Sequence, residues 1–266
     1  MPLKLWRTRI LATACCFIPI IAFGPSASAT NRFANVEIKA LQKLGGGRPA
    51  MILNTHVHGD HTGGNPFFGE TGTIIAHDNV RTRLLNQPQF PAAGLPKLTY
   101  KQQLQLQLHL QLQLQLQLHI NGDSIRVVHL PQGHTNGDSV VLFQSANVVH
   151  VGDHFFNGAF PYIDINNGGS VSGFINNLRS LLSTLPQDVL TIPRHGPMGD
   201  LEDLQRAVET IEVTRSIIRS GIAGQLNDDQ IAEQLTDYSR WGQGFISIAR
   251  WISIIRADQQ AFPSSS

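Results

Sequence analysis

The chain has 266 residues, 41% of them apolar, with 20 Lys and Arg against 19 Asp and Glu for a formal charge of +1. That length suits one domain with a proper core. A near-neutral chain offers no electrostatic footing for nucleic acid or for an anionic membrane surface, so neither is expected as a partner.

Residues 1–29 read as a secretory signal peptide. Lys4, Arg7 and Arg9 make a basic start, Ile10 to Gly24 is an apolar core broken by Pro19, and Ala27-Ser28-Ala29 is a small-x-small cleavage site. That core is shorter than the ~20 residues a membrane span prefers, so no stable span is expected after cleavage and the address is periplasmic or secreted. Both cysteines, Cys15 and Cys16, lie in this segment. The domain read over 30–260 then has no disulfide and no thiolate ligand. Losing the three basic residues takes the formal charge from +1 to −2.

Asn35 to Leu44 has helical spacing in Val36, Ala40, Leu41 and Leu44, and Gly45-Gly46-Gly47 stops it. Ala50 to Leu53 is a short buried strand. It runs into Thr55-His56-Val57-His58-Gly59-Asp60-His61-Thr62-Gly63-Gly64, where three histidines and an aspartate fall within six residues. Imidazole nitrogen and carboxylate oxygen are the usual non-thiolate ligands of zinc. At a strand end His56 and His58 can turn toward one point, while the adjacent Asp60 and His61 reach a second point close by. The pattern suggests two metals a few ångströms apart.

Gly72 to His77 reads as the next strand and Asp78 as the N-cap of a helix through Leu85. His77 is expected to be a polar strand-end residue rather than a ligand. Asn86 to Pro96 reads as a loop. From Gln103 to Ile120 the chain alternates Gln or His with Leu. Such alternation argues a strand, but 18 residues would make one of roughly 60 Å. A globule of this size is only about 45 Å across. The segment 103–120 is read as a family strand lengthened by repeat expansion, with His109 and His119 as copies of one surface position.

Ile125 to Leu130 is a strand in which His129 is either packed or exposed rather than catalytic, and His134 lies in the loop Pro131 to Asp138 that follows. Ser139–Phe143 and Val148–Val151 form a hairpin that delivers Gly152-Asp153-His154. Phe155, Phe156, Phe160 and Tyr162 either line a substrate pocket or pack beneath a long loop. Ser170 or Ser172 caps a helix with Phe174, Leu178, Leu181 and Leu185 on one face. Asp188 to Ile192 is a strand ending at Pro193-Arg194-His195-Gly196, where Arg194 either orients an anionic group or makes a surface ion pair. Asp200 starts a long amphipathic helix with Leu201, Leu204, Val208 and Ile211 on one face. Asn227–Leu235 and Phe245–Ile255 read as further helices, with Trp241 and Trp251 as packing residues. Residues 261–266 read as a disordered tail.

His-x-His-x-Asp-His after a hydrophobic strand, followed by Gly133-His134-Thr135, Gly152-Asp153-His154 and Arg194-His195-Gly196, resembles the signature of the metallo-β-lactamase superfamily. The resemblance runs from about Val36 to His195. It narrows the α/β (α+β) class, given by alternating strands and helices, to a four-layer αββα sandwich. In that family several strands precede the first helix; few residues stand there here, so the first sheet is expected to lack some N-terminal strands. The resemblance implies one metal on His56, His58 and His134, and a second on Asp60, His61 and His195, with Asp153 bridging both. His154 is then expected beside the site. The implied cofactor is two Zn2+, with iron or manganese accepted by the same donors.

Two such ions lower the pKa of a shared water to around 7, so that hydroxide is present at neutral pH, and Asp60 and Asp153 are the catalytic carboxylates. The expected activity is hydrolysis of an ester-like bond (thioester, lactone or phosphodiester) in a small-molecule substrate. The β-lactamases of the superfamily generally lack an aspartate at the Asp153 position, whereas glyoxalase II, RNase Z and the lactonases carry one. A β-lactamase remains the alternative within the class. A non-catalytic or incompletely folded relative is the alternative outside it, resting on the absent strands and the Gln-Leu run.

Overall fold

A computed structural model describes residues 48–101, 115–120 and 122–263, together with Lys39, Gln42 and Lys43. The expected signal peptide, residues 103–114 of the Gln-Leu run and the ground where further N-terminal strands would stand lie outside the described residues. Of the helix expected over Asn35–Leu44, Lys39, Gln42 and Lys43 are described, and they are helical. The chain divides into two compact units, Met1–His129 and Leu130–Ser266. The class is mixed α/β, as the sequence predicts. Among the described residues no helix is long and apolar enough to cross a membrane.

In the first unit three short strands, β1 (Met51–Leu53), β2 (Thr73–His77) and β3 (Leu98–Tyr100), form a parallel sheet in that order. Parallel neighbours need a crossover. The crossover from β1 to β2 holds the histidine cluster and two single-turn helices, α1 (Gly59–Thr62) and α2 (Asn65–Phe68). Asp60 and His61 therefore sit on a helical turn. The Asn65-Pro66 pair opens α2 because proline suits a first helical turn. Ile52, Phe68 and Ile74 make one apolar cluster, and Val57, Ala76, Val80 and Leu84 another. Each Val, Leu, Ile or Phe side chain among them contributes about 1.5–3 kcal/mol when fully buried. A hairpin of β4 (Gln115–Ile120) and β5 (Asp123–Leu130) completes the described part of this unit. The end of the Gln-Leu run is thus a strand, with His119 exposed as expected.

After β2 comes α3 (Asp78–Leu85), whose N-cap is His77 rather than Asp78. The strand ends at His77 as expected, and the imidazole Nδ1 accepts from the Asn79 N–H at 3.2 Å. His77 is 4% exposed and lies flat on the buried ring of His129, the centroids 3.7 Å apart and the planes at 9°. Burial first, and then the neighbouring His129, lower the His77 pKa from its ordinary 6.5 to about 4. A folded pKa below the unfolded one means that unfolding takes up a proton between pH 4 and 6.5. Stability from this group is therefore full above 6.5 and is lost as pH falls toward 4. His77→Asn keeps a capping acceptor and removes the titration. Denaturant midpoints measured from pH 7 to 4 are expected to fall less steeply in H77N, by about one proton per chain in the linkage slope. An unchanged slope would show that His77 does not titrate on unfolding.

The second unit carries β6 (Asp138–Phe143), β7 (Val148–Phe156) and β8 (Leu190–His195), with β6 and β7 antiparallel and β7 and β8 parallel. The expected strand ended at Val151, but β7 continues to Phe156 and is buried throughout. A register shift at Gly152, whose φ is +58°, makes this continuation possible. Only glycine takes that backbone conformation without strain, and the bulge re-aims the side chain that follows it.

Four helices pack in this unit: α4 (Val171–Thr184), α5 (Leu201–Ala223), α6 (Asp228–Glu233) and α7 (Ile248–Ala261). Ser170, Asp200, Asn227 and Ser247 are their N-caps, each accepting backbone N–H groups of the first turn. Of the two caps read for α4 it is Ser170, Ser172 lying inside the helix; α5 starts at the expected point, and the helix expected over Asn227–Leu235 ends at Glu233. The last helix starts at Ile248 instead of Phe245 and runs through Ala261, the first residue of the expected tail. Trp251 is fully buried against Phe160, while Trp241 is half-buried in a 3-10 segment, Thr236–Gln243.

Candidate metal centre

Within the first unit, His56, Asp60 and His61 offer donor atoms that all lie within 4.8 Å of one another. His58 joins them, with its Nδ1 3.1 Å from His56 Nε2. The Asp60 carboxylate lies 3.4 Å from His61 Nε2. The cluster follows the carboxyl end of β1, where parallel strands deliver ligand-binding groups.

Residues that composition did not single out hold it there. The buried Thr55 hydroxyl meets His56 Nδ1 at 3.2 Å and His61 Nδ1 at 2.9 Å. If both Nδ1 atoms donate, its two lone pairs accept both, and each Nε2 is left as the lone-pair nitrogen. Asn54 and Asn65, both buried, hydrogen-bond reciprocally through their amides at 3.0 and 2.8 Å. Asn54 Nδ2 also donates to the His61 carbonyl at 3.0 Å, and Asn65 Nδ2 to the Gly94 carbonyl at 3.1 Å. An Asn at the end of a strand and another at the start of a Pro-containing turn were the only signals of this brace in the sequence.

Within the second unit, His134, Asp153 and His195 converge. One carboxylate oxygen, Asp153 Oδ2, stands 3.5 Å from His134 Nε2 and 3.6 Å from His195 Nε2. These separations are too long for hydrogen bonds. They match the edge of a tetrahedron around an ion with bonds of about 2.0–2.1 Å, where donors stand about 3.4 Å apart. One oxygen at that spacing from two imidazoles is what a shared carboxylate requires. The donor chemistry of both clusters, imidazole and carboxylate with no thiolate, fits a divalent ion of the zinc, iron or manganese kind.

The second cluster also has its supports. His134 Nδ1 donates to the Tyr162 carbonyl at 2.6 Å, which leaves Nε2 as the lone-pair nitrogen. Phe156 stacks on His195, with centroids 4.7 Å apart at 11°. His154 is buried beside the cluster, as expected: its Nε2 meets Asn177 Nδ2 at 3.1 Å and its ring stacks on Phe174. Gly133 leaves room for that ring, since a Cβ there would sit 2.0 Å from His154 Nε2. On its other side His154 Nδ1 is 3.7 Å from Asp138 Oδ2. Asp138 accepts from both the N–H and the hydroxyl of Thr135 and so ties down the loop that carries His134. Burial pushes the Asp138 carboxyl well above its ordinary value, with the Thr135 hydrogen bonds opposing.

Three of the four aromatics pack: Phe155 and Phe160 are core residues and Phe156 is buried against the ring of His195. Tyr162 is half-buried, with the exposed Phe245 and the Arg250 guanidinium against its ring.

A family model described as the metallo-beta-lactamase superfamily matches residues 24–212. A hydroxyacylglutathione hydrolase of Nitrosococcus oceani is 30% identical over 160 residues, which is 59% of this chain and 52% of that protein. The chain thus spans about half the length of that curated relative. Among solved structures, a metallo-beta-lactamase from Pontibacter korlensis superposes with a TM-score of 0.55 at 16% identity, covering 67% of this chain and 76% of that one. The DIM-1 metallo-beta-lactamase gives 0.55 at 19% identity, covering 69% and 78%. Such low identities bear on the fold alone, and the fold is the one the motifs implied.

Proposed function

This chain belongs to the metallo-beta-lactamase superfamily, and we propose that it is a periplasmic or secreted dinuclear zinc hydrolase acting on an ester-like bond of a small molecule. His56, His58 and His134 would hold one ion, Asp60, His61 and His195 the other, and Asp153 both. Two divalent ions so held supply a nucleophile at neutral pH by lowering the pKa of bound water.

The chain's own residues do the rest. Thr55 and the Tyr162 carbonyl hold imidazoles in the ligating tautomer. Asp60, the least buried of the carboxylates in the two clusters, accepts a proton from the attacking water or orients it. The observation that carries this reading is the single Asp153 oxygen standing at ligand spacing from both His134 and His195. The same aspartate disfavours the β-lactam amide. The relative named hydroxyacylglutathione hydrolase supports the acyl end of the substrate range. Lys4, Arg7 and Arg9 ahead of the apolar run Ile10 to Gly24 support the extracytoplasmic address.

The test is metal content per chain on the purified protein, read with near-UV circular dichroism. Thioester, lactone, phosphodiester and β-lactam substrates are then assayed. Two metals per chain, a fixed tertiary signal and turnover of an ester-like substrate are expected. A folded chain that takes up no metal would overturn the hydrolase reading. Turnover confined to β-lactams would overturn the substrate class.

A further inference from the structure

We propose that Asp164 is a positioning residue that fixes the His134 imidazole for metal binding, a role that rests on the reading of His134 as a ligand. Two groups on one short segment grip His134 at both ends. Its ring Nδ1 donates to the Tyr162 carbonyl at 2.6 Å, and its own carbonyl accepts from the Asp164 N–H at 2.8 Å. Between them Ile163 is 2% exposed and anchors the segment in the core. The direction of the His134 Nε2 lone pair therefore follows the path of the chain from Tyr162 to Asp164.

That path is set by the Asp164 carboxylate. Its Oδ1 accepts from the Asn167 N–H at 3.1 Å and its Oδ2 from Asn167 Nδ2 at 2.7 Å. The Asp164 carbonyl accepts from the N–H groups of Asn167 and Gly169 at 3.1 and 2.8 Å. These bonds close the 3-10 turn Ile165–Asn167 on Asp164. The turn then reaches back to the loop that carries His134. The Asn136 N–H donates to the Asn167 carbonyl at 3.0 Å, and the Ser170 N–H to the Gly133 carbonyl at 2.9 Å.

An aspartate that serves only its own turn has no need of burial, which costs a carboxylate its hydration. Asp164 is 7% exposed, and both of its oxygens reach Asn167. The other side of the His134 loop is tied separately, by Asp138 to Thr135. Loss of the Asp164 bonds should therefore loosen the His134 ring and leave the loop and the fold in place.

The test is Asp164→Asn, which keeps the shape and sets one amide against the Asn167 amide. In the metal-free chain the His134 Nδ1 proton is followed by NMR. Its exchange with solvent should be at least about tenfold faster in D164N, the effect of one lost hydrogen bond to a charged group. In a zinc titration of the whole chain against a competing chelator, one binding step should weaken about 10–100-fold, the range for outer partners of a ligand, and the other should not move. With an ester-like substrate kcat should fall at unchanged KM. Asn167→Ala deletes one bond and no charge, and should shift the same step in the same direction by less. Asp164→Asn combined with Asn167→Asp exchanges the partners and should recover most of the loss. Near-UV dichroism should stay parental, and should D164N lose it, N167A carries the same comparison. Parental proton exchange and metal steps in the variants, equal weakening of both steps, or no recovery in the exchanged pair would each overturn the role of Asp164. A parent that takes up no zinc would overturn the hydrolase reading, and the proton exchange would still decide whether Asp164 positions His134.

Discussion

Asp153→Asn is expected to take the metal content from two per chain toward one and to lower turnover by at least about 100-fold, the upper range seen when even outer partners of a ligand are lost. The argument rests on one atom. Asp153 Oδ2 stands between two imidazole nitrogens at 3.5 and 3.6 Å. It lies in a strand where burial leaves it 6% exposed. Asparagine keeps the shape and removes the charge, so the fold should be retained. The neutral amide oxygen then has to offset the charge of two cations, which it does poorly. Metal analysis and near-UV dichroism on one preparation separate loss of ligation from loss of fold. Two tightly held metals with near-parental turnover in D153N would show that this carboxylate is not shared.

Trp251→Ala is expected to destabilise the chain by about 3–5 kcal/mol, the range for emptying a buried large aromatic site. Trp251 on α7 is fully buried. Its ring stacks on Phe160 at 5.4 Å and 11°, and its Nε1 donates to Thr214 Oγ1 on α5 at 3.0 Å. The substitution opens a cavity and takes from Thr214 a donor that water cannot replace in an apolar space. For a chain of this size that corresponds to a melting temperature about 10 °C lower or more. Thermal melts check it. W251F, which keeps the stack and loses the N–H, should fall between parent and alanine variant.

The His and Asp residues that converge in the two clusters were legible because donor chemistry is confined to few residue types and their spacing is short. The helix starts at Asp200 and Asn227 were legible for the same reason, since capping uses a local side chain. What stayed hidden is held by contacts distant in sequence. Nothing local marks Asn54 as the partner of Asn65, or Asp138 as the carboxylate between Thr135 and His154. The length of β7 was misjudged at Gly152, because glycine reads as a strand stop unless a neighbouring strand accepts the bulge. His77 displaced Asp78 as the cap of α3 because its buried ring already faced the first turn. The single-turn helices after β1 were missed because one turn is too short to show a period.

The strand that offers Asp153 is buried over all nine of its residues, with neighbours paired on both sides. Its amides have no route to solvent short of opening the whole second unit, so they should set the slow limit of hydrogen exchange. A metal held through Asp153 then stands on the part of the protein that opens last. That carboxylate is the fixed side of the centre, while solvent reaches it past His195, whose side chain is 34% exposed.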